Sequence, residues 1–182
     1  MKKTVLLICT LFVLVSCSTN DDSDTPNLLE GGTITATVNG QNLFANADNT
    51  INISGQFVEI NGVFILQVGA GLLDGRSVAV GISGIDFDAV VDGFDADADD
   101  ENEDFSAKLF YFEADNDPND EDADLDIGGE SELDAYVKIT SIDKVNKVIS
   151  GEFNGIVLDD DDFDITYVVT DGVFTNISYQ EL

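Results

Sequence analysis

The sequence predicts an all-β protein, an antiparallel β-sandwich of about ten strands with a barrel as the alternative. Three observations carry this. Apolar and polar residues alternate with a period of two through most segments beyond residue 32. Asn-Gly and Asp-Gly pairs interrupt these segments at short intervals. No segment beyond residue 16 sustains a helical period.

Taken in order, Ile34, Ala36 and Val38 alternate with Thr33, Thr35 and Thr37, and Asn39-Gly40 then signals a hairpin. Leu43-Phe44-Ala45 begins the return strand. Ile51 and Ile53 mark a short strand ending at Gly55, and Phe57-Val58-Glu59-Ile60 runs into a second hairpin at Asn61-Gly62. Val63 to Val68 returns, and Val78, Val80 and Ile82 alternate in the next strand. Ala107 to Phe112 is apolar on both faces, which predicts a central position in a sheet. Tyr136 to Ile142 and Val148 to Val157 flank a turn at residues 143–147. A last hairpin is predicted from Ile165 to Tyr179, turning at Asp171-Gly172. Gly55, Gly151 and Gly155 lie in or beside strands, where glycine marks bulges or close strand crossings.

The start of the chain has a different character. Met1-Lys2-Lys3 is basic, Val5 to Val15 is apolar, and Ser16-Cys17 is followed by the polar Ser18-Thr19-Asn20-Asp21-Asp22. That layout predicts a helical secretory signal peptide over residues 1–16. The apolar run is shorter than the roughly 20 residues that span a bilayer. Leu14-Val15-Ser16-Cys17 resembles the lipobox of bacterial lipoproteins: an aliphatic residue, a tolerant position, a small residue and a cysteine. The resemblance implies cleavage before Cys17 and a diacylglyceryl group on its thiol. One acyl chain holds a protein to a membrane only marginally, whereas two anchor it stably. Residues 17–32 then read as a flexible acidic linker, and residues 33–182 as a single β domain. The small acidic residues after Cys17 are similar to export signals that carry some Bacteroidetes lipoproteins to the outer face of the outer membrane. The same composition also suits a plain tether.

Charge and missing residue types narrow the function. The chain has 37 acidic and 7 basic residues, a formal net charge of −30, and losing Lys2 and Lys3 with the leader makes it more negative still. Such a field repels nucleic acid and excludes it as a partner. There is no His, and the only cysteines are Cys9, within the leader, and Cys17. Ser–His–Asp and Cys–His catalysis are therefore excluded, as are the usual nitrogen and sulfur ligands of zinc and copper. Glu59 and Glu152, within strands, are the remaining candidates for a glycosidase-type carboxyl, but solvent-facing positions are expected for both. The chain is thus expected to be non-enzymatic: a binding or envelope-interaction module with a protein or glycan ligand. A carboxylate-dependent glycan-acting enzyme and a purely structural envelope lipoprotein are the alternatives.

Acidic loops are predicted near 86–104 and 113–134, and Asp159 to Asp162 with Asp164 form a further cluster. Ca²⁺ takes six to eight oxygen ligands in flexible geometry. Asp95, Asp97 and Asp99 have the alternate spacing of a calcium loop, as do Asp122, Asp124 and Asp126; Asp115, Asp117 and Asp120 form a looser run. Neither spaced set carries glycine at the next position, where Asp100 and Ile127 stand, so the EF-hand pattern is incomplete. Solvated acidic loops explain the same composition. If the clusters bind Ca²⁺, the binding is expected to be weak and structural.

The segments Thr33-Ile34-Thr35-Ala36-Thr37-Val38-Asn39-Gly40, Ile149-Ser150-Gly151-Glu152-Phe153 and Thr170-Asp171-Gly172-Val173-Phe174, with Ile177-Ser178-Tyr179, resemble a family of exported Bacteroidetes (flavobacterial-type) lipoproteins of unknown function. The resemblance covers roughly residues 33–62 and 136–179 and not the acidic middle. It implies an exported β domain and assigns no catalytic residue.

Overall fold

In the computed structural model, residues 32–98, 104–113, 134–158 and 166–182 are described in full and residues 127–130 by their backbone. The period-two pattern becomes eleven strands: β1 (Thr33–Val38), β2 (Gln41–Ala45), β3 (Thr50–Ile60), β4 (Val63–Leu72), β5 (Ser77–Gly84), β6 (Asp95–Asp97), β7 (Phe105–Glu113), β8 (Ile127–Glu130), β9 (Ala135–Asp143), β10 (Val148–Leu158) and β11 (Thr166–Glu181). One turn of 3₁₀ helix, Phe87–Ala89, lies between β5 and β6. The all-β prediction holds.

Hydrogen bonds run without a break through β6-β9-β10-β11-β3-β4-β5-β7-β8, and the β1–β2 hairpin branches from β11. Strands β7 and β8 pack against β9 and β10 across the interior, so the sheet coils into a nearly closed barrel, the alternative architecture of the prediction. Its interior holds the alternating apolar residues, among them Ile34, Leu43, Phe64, Val78, Leu109, Ile139, Ile149, Phe153, Phe174 and Ile177, each at most 2% exposed. Strand β7 lies second from the end of the hydrogen-bonded path, between β5 and the four-residue β8. Only its alternate residues are buried, so the central place its apolar faces predict is not reached.

Three departures from the sequence pattern have local causes. The segments around Ile53 and Phe57 form one strand, β3, because Gly55 does not end it. Gly55 instead lets β11 approach: the one parallel pair of the sheet aligns Tyr179 with Gly55, Gln180 with Gln56 and Glu181 with Phe57. Asp171-Gly172 is a bulge and not the predicted hairpin, since β11 continues through it for 16 residues. Two registers show the extra residue: Thr35 and Thr37 oppose Val173 and Thr170, while Phe153 and Gly155 oppose Gly172 and Val169. Asp171 has φ 52°, the left-handed conformation that an Asp-Gly turn would also need, so the local signal is the same for both structures. Finally, the predicted acidic loops contain β6 and β8, which the sequence pattern hid. Residues 114–126 and 131–133 of the second loop lie outside the described residues, as do the predicted signal peptide and all but Gly32 of the predicted linker.

Gly151 follows the predicted behaviour, with register shifts beside it toward both β9 and β11. The free edge of β2 is covered. The Phe44 carbonyl accepts from Asn49 Nδ2 at 2.6 Å, and the Asn42 carbonyl from Arg76 Nη1 at 3.5 Å. Capping these carbonyls blunts an edge that would otherwise template pairing with another chain.

Candidate polar end of the barrel

The two ends of the barrel differ in chemistry. At one end Phe57, Phe64, Phe87 and Phe105 form a chain of ring contacts, with centroids 4.4 Å apart for Phe57–Phe87, 5.2 Å for Phe64–Phe87 and 6.2 Å for Phe64–Phe105. Phe94 stacks edge-on against Phe105 at 4.9 Å, and Tyr179 lies 6.4 Å from Phe57. The 3₁₀ turn brings Phe87 into this group. Lys144 Nζ sits over the Phe87 ring at 4.5 Å and donates to the Phe87 carbonyl at 2.6 Å. This end is plugged by aromatic packing.

An open cleft of about 640 Å³ lies beside the plug, lined by Val90, Val91, Asp92, Ile142, Asp143 and Lys144. Its charged groups are engaged. Asp92 Oδ1 accepts from Ile142 N at 2.8 Å, and Asp143 accepts from Val145 N at 2.9 Å and from Asn146 N at 2.8 Å. Those Asn146 hydrogen bonds hold the Asp143 carboxyl below its ordinary pKa.

The opposite end is polar. Alternation along β7 turns both Tyr111 and Glu113 toward the interior side, and the Tyr111 hydroxyl donates to Glu113 Oε1 at 2.6 Å. The Tyr111 ring lies 5.0 Å from Tyr167. Tyr111 is 1% exposed; burial, then the Glu113 carboxylate, push its pKa well above the ordinary tyrosine value. Arg76 opposes that rise. It enters just before β5, where its Nε and Nη2 donate to Asp74 Oδ2 at 3.0 and 2.7 Å. The guanidinium lowers the Asp74 pKa, and Asp74 raises that of Arg76. The fork of Arg76 is thus committed within the chain.

Strand directions bring the ends of two strand pairs, each flanking an acidic stretch of sequence, to this polar end. Glu113 pairs with Ile127, and Leu158 with Thr166. These two strand pairs bracket residues 114–126 and 159–165. Following the antiparallel pairs and the single parallel pair around the sheet puts both at the end that carries Arg76.

The predicted calcium residues divide. Asp95 and Asp97 lie on β6, outward on either side of the buried Ala96. On a strand, residues two apart sit about 7 Å from each other along the wall rather than converging as in a calcium loop. Asp95 stands opposite Lys138, which stands opposite Glu152 on β10, so an acid–base–acid row crosses the outer face. Asp99, Asp115, Asp117, Asp120, Asp122, Asp124 and Asp126 lie outside the described residues, as does Cys17. Among the described residues no three acidic, His or Cys side chains gather closely enough to hold a metal ion. Glu59 and Glu152 are both exposed. The sequence pattern missed Arg76, Tyr111 and Glu113. The available signal was Arg76 itself, the only Arg among seven basic residues in the chain.

The fold and this end define an acidic, all-β, barrel-like domain. Comparison with family models, with curated proteins and with solved structures finds no match.

Proposed function

We propose that the chain is an exported lipoprotein, anchored through diacylglycerol on Cys17 to the outer membrane and displayed at the cell surface. In this reading the barrel is a non-enzymatic binding or envelope-interaction module for a protein or glycan. The observation that carries it is Leu14-Val15-Ser16-Cys17 closing the apolar run that follows Lys2 and Lys3. The structure is compatible: β1 starts at Thr33, which leaves residues 18–32 between the lipidated cysteine and the first strand. No helix among the described residues is long and apolar enough to cross a membrane. A further element of the proposal is weak structural Ca²⁺ binding by the run Asp115, Asp117, Asp120, Asp122, Asp124 and Asp126. That run offers six Asp carboxylates within twelve residues, and hard cations suit such oxygen-rich surroundings.

The anchor is tested by expressing Cys17→Ala in a bacterial host that processes lipoproteins, with labelled fatty acid in the medium. The wild-type chain is expected in the membrane fraction carrying label, and the variant in neither. Equal membrane retention of the unlabelled variant refutes the anchor.

A further inference from the structure

Three Asn-Gly pairs occur in the chain, at Asn39-Gly40, Asn61-Gly62 and Asn154-Gly155. In this dipeptide the glycine backbone nitrogen is uncrowded and can attack the carboxamide carbon of the preceding side chain. The structure holds the three pairs in different ways. Asn39 and Gly40 have φ 48° and 79°, while Asn61 and Gly62 have φ 55° and 78°, so the two hairpin turns share one backbone geometry. In both turns a Cβ on the glycine would meet nothing within 4 Å. The side chains differ. Asn39 Nδ2 donates to the Thr166 carbonyl at 3.2 Å, and its Oδ1 accepts from Val168 N at 2.8 Å, which locks the carboxamide onto β11. The exposed Asn61 carboxamide has no such lock among the described residues. Asn154-Gly155 lies within β10, where Asn154 aligns with Tyr136 and Gly155 with both Ala135 and Val169. Gly155 is buried there and pressed against the Asp134 carbonyl and the Ala135 Cα.

We propose that Asn61 is a site of spontaneous covalent modification, with Asn39 and Asn154 protected by the fold. The Gly62 nitrogen forms a bond to Asn61 Cγ and gives up its proton. The side-chain nitrogen takes up that proton and leaves as ammonia, closing a cyclic imide. Water then adds to either imide carbonyl and opens the ring, leaving Asp or isoaspartate at position 61. Water is the sole co-reactant and no electrons change hands. Isoaspartate adds a methylene to the backbone of a turn whose two residues both occupy the left-handed region, and either product adds a carboxylate. The tip of the β3–β4 hairpin therefore changes in shape and charge as the protein ages. Freeing Asn39 means breaking two hydrogen bonds, which slows its reaction by about one to two orders of magnitude relative to Asn61.

The test incubates the full chain, folded, in mildly alkaline buffer made with heavy-oxygen water, followed by digestion and peptide mapping by mass spectrometry. Label and isoaspartate are expected at position 61 at about ten or more times the rate at positions 39 and 154. The same incubation in concentrated urea is expected to bring the three rates together. Asn61→Gln is expected to abolish the product at that position and to leave position 39 unchanged. A folded protein in which Asn39 or Asn154 keeps pace with Asn61 overturns the proposal. So does one in which Asn61 stays intact although it reacts in urea.

Discussion

Gly55→Ala probes the seam at which β11 leaves β1 and joins β3 in parallel. A Cβ at position 55 would lie 2.7 Å from Tyr179 Cβ, 3.1 Å from the Ser178 carbonyl and 3.1 Å from Tyr179 Cα. None of these atoms can rotate aside, because each belongs to the backbone or is fixed to it. Ordinary contact therefore requires β3 and β11 to separate by several tenths of an ångström where Tyr179 is only 3% exposed. Overpacking of this kind costs ~1–3 kcal/mol. Replacing glycine by alanine also restricts the unfolded chain, which returns ~0.5–1 kcal/mol. The net expectation is a loss of ~1–2 kcal/mol, or a Tm lower by roughly 2–8 °C for a domain of this size. Gly71→Ala is the control: its added Cβ would meet only Asn52 Oδ1, at 3.3 Å, a side-chain atom on the neighbouring strand. Its expected change is within ~0.5 kcal/mol of zero. Urea unfolding followed by far-ultraviolet circular dichroism and tyrosine fluorescence reads both variants, since the chain has no Trp. Equal stability of the two variants would refute the claim that the parallel seam depends on a bare backbone at position 55.

Tyr111→Phe removes the donor to Glu113. Because the folded-state pKa of Tyr111 is raised, its contribution is complete below the unfolded value near 10 and is lost as pH climbs beyond it. The wild-type protein is therefore expected to exceed the variant in stability by ~1–2 kcal/mol near neutrality, with the gap narrowing in alkaline titrations; parallel curves count against the assignment. Ten-millimolar Ca²⁺, acting on the proposed site with Kd of about 1 mM, is expected to stabilise residues 18–182 by ~1.4 kcal/mol beyond NaCl of equal ionic strength. Identical melting shifts in the two salts would remove calcium from the proposed function.

How much of this was legible in the sequence depends on whether a feature is local. The turns at Asn39-Gly40 and Asn61-Gly62 were, because two residues fix the left-handed backbone that a tight hairpin needs. Strands whose inward residues are Ile, Leu, Val or Phe were legible for the same reason. Strand β6 was not, since Ala96 alone faces inward between Asp95 and Asp97. Strand β8 carries Gly128 and Gly129 and shows little pattern. Asp171-Gly172 sent the right backbone signal to the wrong structure. Only the partners on both sides, β1 and β10, decide that the chain continues as a bulge. The polar end was the least legible. Tyr111 reaches its position through pairing of β7 with β5, which aligns it with Val78, and Arg76 precedes β5 by one residue. Such registers are long-range, and no local window contains them.

The acidity of the chain and its stability are reconciled by where the charges fall. On the strands, alternation gives acids such as Asp95 and Glu152 outward positions, with Glu113 the exception, and scarce bases stand beside acids: Lys138 between Asp95 and Glu152, Arg76 against Asp74 just before β5, and Lys147 3.0 Å from Glu181. Such exposed pairs contribute little each, about 0–1 kcal/mol, but they remove like-charge neighbours from the sheet. Strand β1, which the proposed tether feeds, runs from the side of Ile177 toward the polar end at Val38. In the proposed anchoring the tether therefore meets the domain on the side of Ile177, away from the Asn39-Gly40 hairpin.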